Sequence, residues 1–193
     1  MKPIIVVLEG PSGVGKDTVA RELNRRFPDI YVKMPSITDR AMREGENQGN
    51  PYFFVSTEEF KKKITTGDVF EYTIVARDNL HRGMSKQIIE GIAKTGRIQI
   101  KDCDWIGIEA LKREYGTKNV IAIYLSVPKE EVARRIHERG GSVNDIQNRI
   151  ADFENYAVKI QKYCDHSIEN IILDSCVNEI HTLVQSKFKT TPK

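Results

Sequence analysis

Cysteine is scarce in this chain. Its three cysteines, Cys103, Cys164 and Cys176, form no C-x-x-C pair and leave one thiol over under any pairing. A disulfide scaffold is therefore excluded, and a reducing, cytoplasmic setting fits. Histidine is thin as well: His81, His137, His166 and His181 make no metal-ligand spacing and read as ordinary surface or partly buried side chains. Long apolar runs are missing. The run Pro3 to Leu8 ends at Glu9, too short for a signal peptide or a membrane span, so no membrane partner is expected. Neither sign of charge dominates: 30 basic and 27 acidic residues leave a net charge of +3, too little to imply nucleic acid as partner. No internal repeat or low-complexity segment is visible, and only the tail 187–193 looks frayed.

What is present is an ordinary globular composition, 193 residues with 39% hydrophobic side chains. That length suits one domain with inserted subdomains, burying about two-thirds of the surface of its unfolded chain. Short apolar runs alternate with amphipathic stretches. Pro3 to Leu8 is continuous and rich in β-branched residues, the pattern of a strand buried on both faces. Arg97 to Lys101 and Val120 to Val127 repeat it, and a last strand is expected around Ile168 to Leu173. Helical spacing marks Trp105 to Tyr115, Lys129 to Arg139, Val143 to Tyr163 and Val177 to Phe188. Such alternation predicts an α/β fold, a parallel sheet flanked by helices.

The chemistry is most legible after the first strand. Gly10-Pro11-Ser12-Gly13-Val14-Gly15-Lys16 supplies the G-x-x-x-x-G-K core of a Walker A loop between a strand and a helix. Its glycines let successive N–H groups turn inward onto phosphate oxygens, the helix N-terminus adds positive charge, and Lys16 reaches the β- and γ-phosphates. ATP with Mg²⁺ is the expected ligand. The next position departs from the motif: Asp17 stands where Ser or Thr holds the ion, with Thr18 following. A carboxylate acting through water and the Thr18 hydroxyl both remain open as the magnesium ligand.

Two segments break the alternation. Residues 36–85 mix short strand-like pieces with a helix beginning at Ser56, where Ser56 and Glu59 fit a capping box and Val55 and Phe60 a hydrophobic staple. Within it Arg40, Arg43 and Tyr52 form a set of forks and a phenol suited to a dianionic phosphate. The second is the turn Arg139-Gly140-Gly141-Ser142 between two charged helices, which reads as a mobile flap. Lys129 to Arg149 holds five basic and four acidic residues, a pattern that also suits a solvated helical surface.

Taken in order, these pieces resemble the guanylate kinase family over residues 3 to about 175. Ser36-Ile37-Thr38-Asp39-Arg40-Ala41-Met42-Arg43-Glu44-Gly45-Glu46, then Gly49 and Pro51-Tyr52-Phe53-Phe54-Val55-Ser56, is similar to its acceptor-binding stretch. Phe70-Glu71-Tyr72 resembles its F-x-E-W/Y piece, and Lys101-Asp102-Cys103-Asp104-Trp105-Ile106-Gly107 its L-D-I-D-x-Q-G turn. Arg134 to Gly140 and Ile146 to Ile150 resemble its lid. The resemblance implies a P-loop kinase fold: a core of about 1–35, 86–128 and 151–193, an inserted nucleoside-monophosphate-binding subdomain of about 36–85, and a helical lid of about 129–150.

Carried over residue by residue, it implies that Arg40, Arg43 and Tyr52 hold the phosphate of GMP or dGMP, and that Glu71 accepts from guanine N1 and N2, with Ser36 and Asp104 near the base. Asp104 also reads as the N-cap of the helix from Trp105. Arg135, Arg139 and Arg149 would join Lys16 as catalytic charge, and Asp102 would join Asp17 and Thr18 as an oxygen donor near Mg²⁺. The family's Tyr-Tyr-Gly-Thr/Ser segment appears here as Leu80-His81-Arg82-Gly83-Met84-Ser85. Arg82 thus replaces a phosphate-binding tyrosine and could itself bind the phosphate of GMP, and Met84 stands where a hydroxyl approaches the base.

The expected reaction is ATP-dependent phosphorylation of GMP or dGMP. Two rivals stand beside it. Ribose 1,5-bisphosphate kinases resemble the family and carry Gly-Lys-Asp-Ser/Thr, as Gly15-Lys16-Asp17-Thr18 does, although Tyr52, Glu71 and Asp104 suit guanine better. Non-catalytic guanylate-kinase-like interaction modules have degraded phosphate loops, unlike Gly10 to Lys16. A homodimer is compatible with the sequence and not indicated by it.

Overall fold

The computed structural model describes residues 2–75, 79–138, 140, 142–151 and 153–188, leaving aside the side chains of Asp145, Asn148, Arg149, Ile150 and Glu154. The chain enters with β1 (Ile5–Glu9), every residue of which is buried. Helix α1 (Lys16–Arg26) follows and buries Val19, Ala20 and Leu23, spaced along one face, while Glu22 pairs with Arg25 and Arg26 outside. After the edge strand β2 (Tyr31–Lys33), residues 36–85 build a unit of their own: β3 (Ser36–Thr38), β4 (Tyr52–Phe54), α2 (Thr57–Thr65), β5 (Val69–Val75) and β6 (Leu80–Ser85). The predicted cap of α2 is formed, Ser56 Oγ accepting from Glu59 N at 3.1 Å.

The chain then returns through α3 (Lys86–Ala93), β7 (Ile98–Asp102), α4 (Trp105–Tyr115) and β8 (Val120–Ser126). Helices α5 (Lys129–Glu138), α6 (Val143–Ile150) and α7 (Phe153–Gln161) lead to β9 (His166–Glu169) and α8 (Leu173–Phe188). Two expectations are corrected here. Val143 to Tyr163 is two helices, because the α-helical run ends at Ile150 and resumes at Phe153. The last strand ends at Glu169, and α8 starts at Leu173 rather than Val177; Ile171 and Ile172, which read as strand core, are exposed.

The main sheet has five strands in the order β2-β7-β1-β8-β9, all parallel. Its central strand alternates faces. Val6 and Leu8 join Ile121, Ile123 and Leu125 against Leu23 of α1 and Val177 and Ile180 of α8. Ile5 and Val7 join Ala122 against Ile89 of α3 and Ile108 and Leu111 of α4. Each such fully buried Val, Leu or Ile side chain contributes about 1.5–3 kcal/mol of transfer free energy. Winding runs to one side of β1 as far as β7 and then to the other side from β8. The carboxyl end of β1 is thus a topological switch point, the place where open parallel sheets leave a crevice for ligands.

The second sheet has the order β4-β3-β6-β5, with β3 and β4 parallel and the other pairs antiparallel. It carries a small core of Ile37, Phe60 and Val69, with Val55 and Ile64 packed against it.

Candidate active site

The glycine loop leaves β1 at the switch point. Gly10 has φ 145° and Gly15 φ 96°, both in the region that L side chains rarely adopt. Space excludes a side chain as well: a Cβ would lie 2.6 Å from Leu125 O at Gly10 and 2.7 Å from Asn170 Nδ2 at Gly15. Gly15 is the N-cap of α1 and contributes no side-chain cap, so the first-turn N–H groups face the loop unshielded. That is an anion cradle. Lys16 Nζ folds onto the carbonyls of Gly10 and of Pro11, the latter at 3.2 Å. Burial lowers the Lys16 pKa, and the carboxylates of Glu9 and Asp102 oppose that shift.

Sequence reasoning missed three residues that shape this loop. Glu9, 2% exposed, accepts from Gly10 N at 2.8 Å and from the Tyr156 hydroxyl at 2.7 Å. Burial raises its pKa above the usual carboxylate range, with the Gly10 and Tyr156 bonds working the other way. Asn170 is buried and donates from Nδ2 to Val14 O at 2.7 Å. Only Glu9 had a readable signal, a charge closing an otherwise apolar strand; Tyr156 and Asn170 reach the loop from more than 140 residues away.

Arg135, on α5, lies against the loop. Its guanidinium donates to Val14 O at 3.2 Å and Asn170 O at 2.6 Å, while Glu131 Oε1 receives Nε at 2.7 Å. With Gly13, Gly15, Thr18 and Asn170 it lines a cavity of about 250 Å³. Arg139 lies outside the described residues, as does the side chain of Arg149. Asp17 points elsewhere: its carboxylate pairs with Lys33 and, at 3.1 Å, with Arg21 Nε, and the Lys33 bond holds its pKa below the usual value. Asp102 closes β7, exposed and beside Lys16.

The inserted sheet forms the other half. Arg40, Arg43, Tyr52 and Arg82 line a cavity of about 370 Å³ together with Thr38 and Glu46. The Arg40 and Arg82 guanidinium groups lie 5.4 Å and 4.9 Å from the Tyr52 ring centroid, a cation–π arrangement that holds both forks over one phenol. Glu46, which sequence reasoning passed over, accepts from Arg40 Nη2 at 2.8 and 3.0 Å and from Arg43 N at 2.8 Å. The Arg40 bond lowers the Glu46 pKa.

Deeper in, Glu71 sits beside a register shift of β5 and pairs across to Met84 of β6, itself buried at 2% exposure. Burial raises the Glu71 pKa; Asp104 adds to the shift and Lys101 opposes it. Asp104 caps α4, its Oδ1 accepting from Gly107 N at 3.0 Å, and it couples electrostatically to both Glu9 and Glu71. Glu9 and Asp104 thus lie at and just beyond the carboxyl ends of β1 and β7. Ser36 is buried at the start of β3. Among the described residues no group of three or more His, Cys, Asp and Glu could hold a metal ion, and no helix is long and apolar enough to cross a membrane.

A glycine loop at the switch point of a five-stranded parallel sheet, with a basic cavity on an inserted sheet, defines a P-loop phosphotransferase. The model of the guanylate kinase family matches residues 1–187, and the chain belongs to that family. It is 34% identical over 188 residues to a guanylate kinase of Helicobacter pylori, covering 96% of this chain and 86% of that one. It is also 34% identical over 182 residues to a guanylate kinase of Mycobacterium sp., covering 93% and 90%. The crystal structure of guanylate kinase from Anaplasma phagocytophilum shares the fold, with a TM-score of 0.67 at 23% identity over 98% of this chain and 88% of that one.

Proposed function

We propose that this nucleoside monophosphate kinase transfers the γ-phosphoryl group of ATP to the phosphate of GMP or dGMP, giving ADP and the diphosphate. The observation that carries the reading is the pairing of an intact phosphate cradle at the end of β1 with a cavity on the inserted sheet where Arg40 and Arg82 flank Tyr52, Glu71 lying on the same sheet. A guanine edge offers adjacent N–H donors to a carboxylate, and adenine leaves that carboxylate unmatched.

The chemistry asks little covalent help. An oxygen of the acceptor monophosphate, already anionic near neutral pH, forms the new P–O bond while the bond to the bridging oxygen of ADP breaks. No general base is needed. Positioning and charge do the rest: backbone N–H groups of the loop and Lys16 hold the donor, Arg40, Arg43 and Arg82 hold the acceptor, and Arg135, with Arg139 and Arg149 on the lid segment, adds positive charge around the moving group. Mg²⁺, when bound with ATP, neutralises charge on the β- and γ-phosphate oxygens. Such an ion takes most of its ligands from phosphate and water, so a hard oxygen donor beside Lys16 fits it. Asp102 would supply that donor, as would the Thr18 hydroxyl, whereas Asp17 is held by Lys33 and Arg21. Three cysteines without a disulfide suit a reducing, cytoplasmic setting.

The test is ADP release from ATP and Mg²⁺ with GMP, dGMP, AMP, UMP, dTMP and ribose 1,5-bisphosphate as separate acceptors. Turnover of GMP or dGMP above the others by about 100-fold is expected for a site built around a donor edge. Turnover with the sugar phosphate alone selects the ribose bisphosphate kinase, and none with any acceptor selects the interaction module.

A further inference from the structure

One charged side chain beside the proposed base site has no part in the reaction described so far. Lys101, on β7, is 6% exposed, and its Nζ donates to Ser36 Oγ. Among the described residues that is the one hydrogen bond its Nζ makes. A lysine ammonium has three donors, so further donor capacity is left inside a nearly closed environment. Buried lysines are costly unless matched: burial lowers the Lys101 pKa, and the carboxylates of Asp102 and Glu71, around the base site, oppose that shift while Arg82 adds to it. The residue also departs from the pattern the turn resembles. Lys101 stands where the L-D-I-D turn it resembles carries leucine, and Met84, buried against the same region, stands where that family places a hydroxyl.

We propose that Lys101 is a specificity-determining residue, its Nζ donating to the C6 carbonyl oxygen of the acceptor purine. The inference rests on the GMP reading and deepens it. Ser36 Oγ accepts from Lys101, which turns the Ser36 hydroxyl proton away and makes it a second donor. The pair then faces two acceptors, O6 and N7 of guanine, while Glu71 faces the N1 and N2 donors. Adenine places an amino donor at C6, opposite an ammonium that has nothing to give it but another donor. Lysine in the floor of the site and methionine in its wall thus exchange the roles of polar and apolar positions, and the site keeps a donor for the keto group.

The test compares kcat/KM for GMP with that for 6-thioguanosine 5′-monophosphate, which keeps the N1 and N2 donors but replaces O6 by a weakly accepting sulfur. Wild-type protein should prefer GMP by about tenfold or more, the worth of one charged hydrogen bond. Lys101→Met should lose about 10- to 100-fold on GMP, little on the thio analogue, and so bring the ratio near one. Its melting temperature should hold or rise, because an apolar side chain of similar volume replaces a buried charge. A wild-type protein that takes both nucleotides equally overturns the inference without any variant, and so does a Lys101→Met protein that keeps the wild-type ratio. Wild-type protein that turns over neither nucleotide brings down the GMP reading itself, and the role of Lys101 with it.

Discussion

The Tyr156 hydroxyl of α7 donates to Glu9 Oε1 at the end of β1, at 2.7 Å, and the same oxygen accepts Gly10 N at 2.8 Å. The carboxylate therefore joins the first peptide of the phosphate loop to the helix that follows the lid segment. It does so while buried, and burial outweighs its hydrogen bonds in raising its pKa.

That shift sets a pH dependence. A carboxyl whose folded pKa lies above its unfolded value weighs nothing against folding below the unfolded value near 4.5. Its cost appears as pH rises from there through the folded pKa. Glu9→Gln removes the ionisation and should melt above the wild type at pH 7–8, by about 2–4 °C for each kcal/mol relieved in a chain of this size. The gap should close toward pH 4. Thermal melts from pH 4 to 8 check it, and a gap that does not change with pH contradicts the assignment.

Lys16 makes no ion pair among the described residues and bonds only loop carbonyls. Lys16→Met should leave the circular dichroism spectrum and melting temperature close to wild type while lowering kcat by about 10²–10³, the scale for losing one preorganised charge donor. Near-normal turnover would falsify the mechanism.

Arg40 is shared between Glu46 and the acceptor cavity. Arg40→Ala should raise the KM for GMP by about 10- to 100-fold, the loss of a charged hydrogen-bond pair, with a smaller change in kcat. The KM for ATP should stay put, because the phosphate loop lies on the other sheet. Steady-state kinetics with each nucleotide varied in turn separates these outcomes.

Gly83 leaves no room for a side chain: a Cβ there would lie 2.6 Å from Glu71 O and 2.9 Å from Tyr72 Cβ. Gly83→Ala must push β5 from β6 at the residue expected to read the base. A cost of about 1–3 kcal/mol in stability is expected, the range for overpacking, together with a raised KM for GMP and unchanged ATP binding. Calorimetry of ATP binding beside the melting curve decides whether the damage stays within the inserted sheet.

Much of the fold was legible because its signals are local. Pro3 to Leu8 had to be a strand buried on both faces, and Gly10 to Lys16 had to curl around phosphate, since backbone sterics and hydrogen bonding over seven residues suffice for each. The cap at Ser56 and the Asp104 cap are equally short-range, and both were readable. The break between α6 and α7 was not, because Ile146, Phe153 and Ile160 keep helical spacing on either side of it.

The proposed acceptor site divides the same way. Arg40, Arg43, Tyr52 and Glu71 carried their chemistry in the chain order of a family pattern, and the fold gathers the first three around one cavity. Tertiary structure alone decided that Glu46 would sit between the arginines, that Asp17 would turn to Lys33, and that Lys101 would be buried against Ser36. Each depends on which neighbour a flexible charged side chain meets once the sheets are assembled. The scarcity of cysteine, histidine and long apolar runs argued against a disulfide framework, a His/Cys metal cluster and a membrane-spanning helix, because those need particular residues in number. A balanced handful of lysines, arginines and carboxylates says nothing by itself about pairing, since Coulomb energy depends on distance and burial, and only the packed chain sets both.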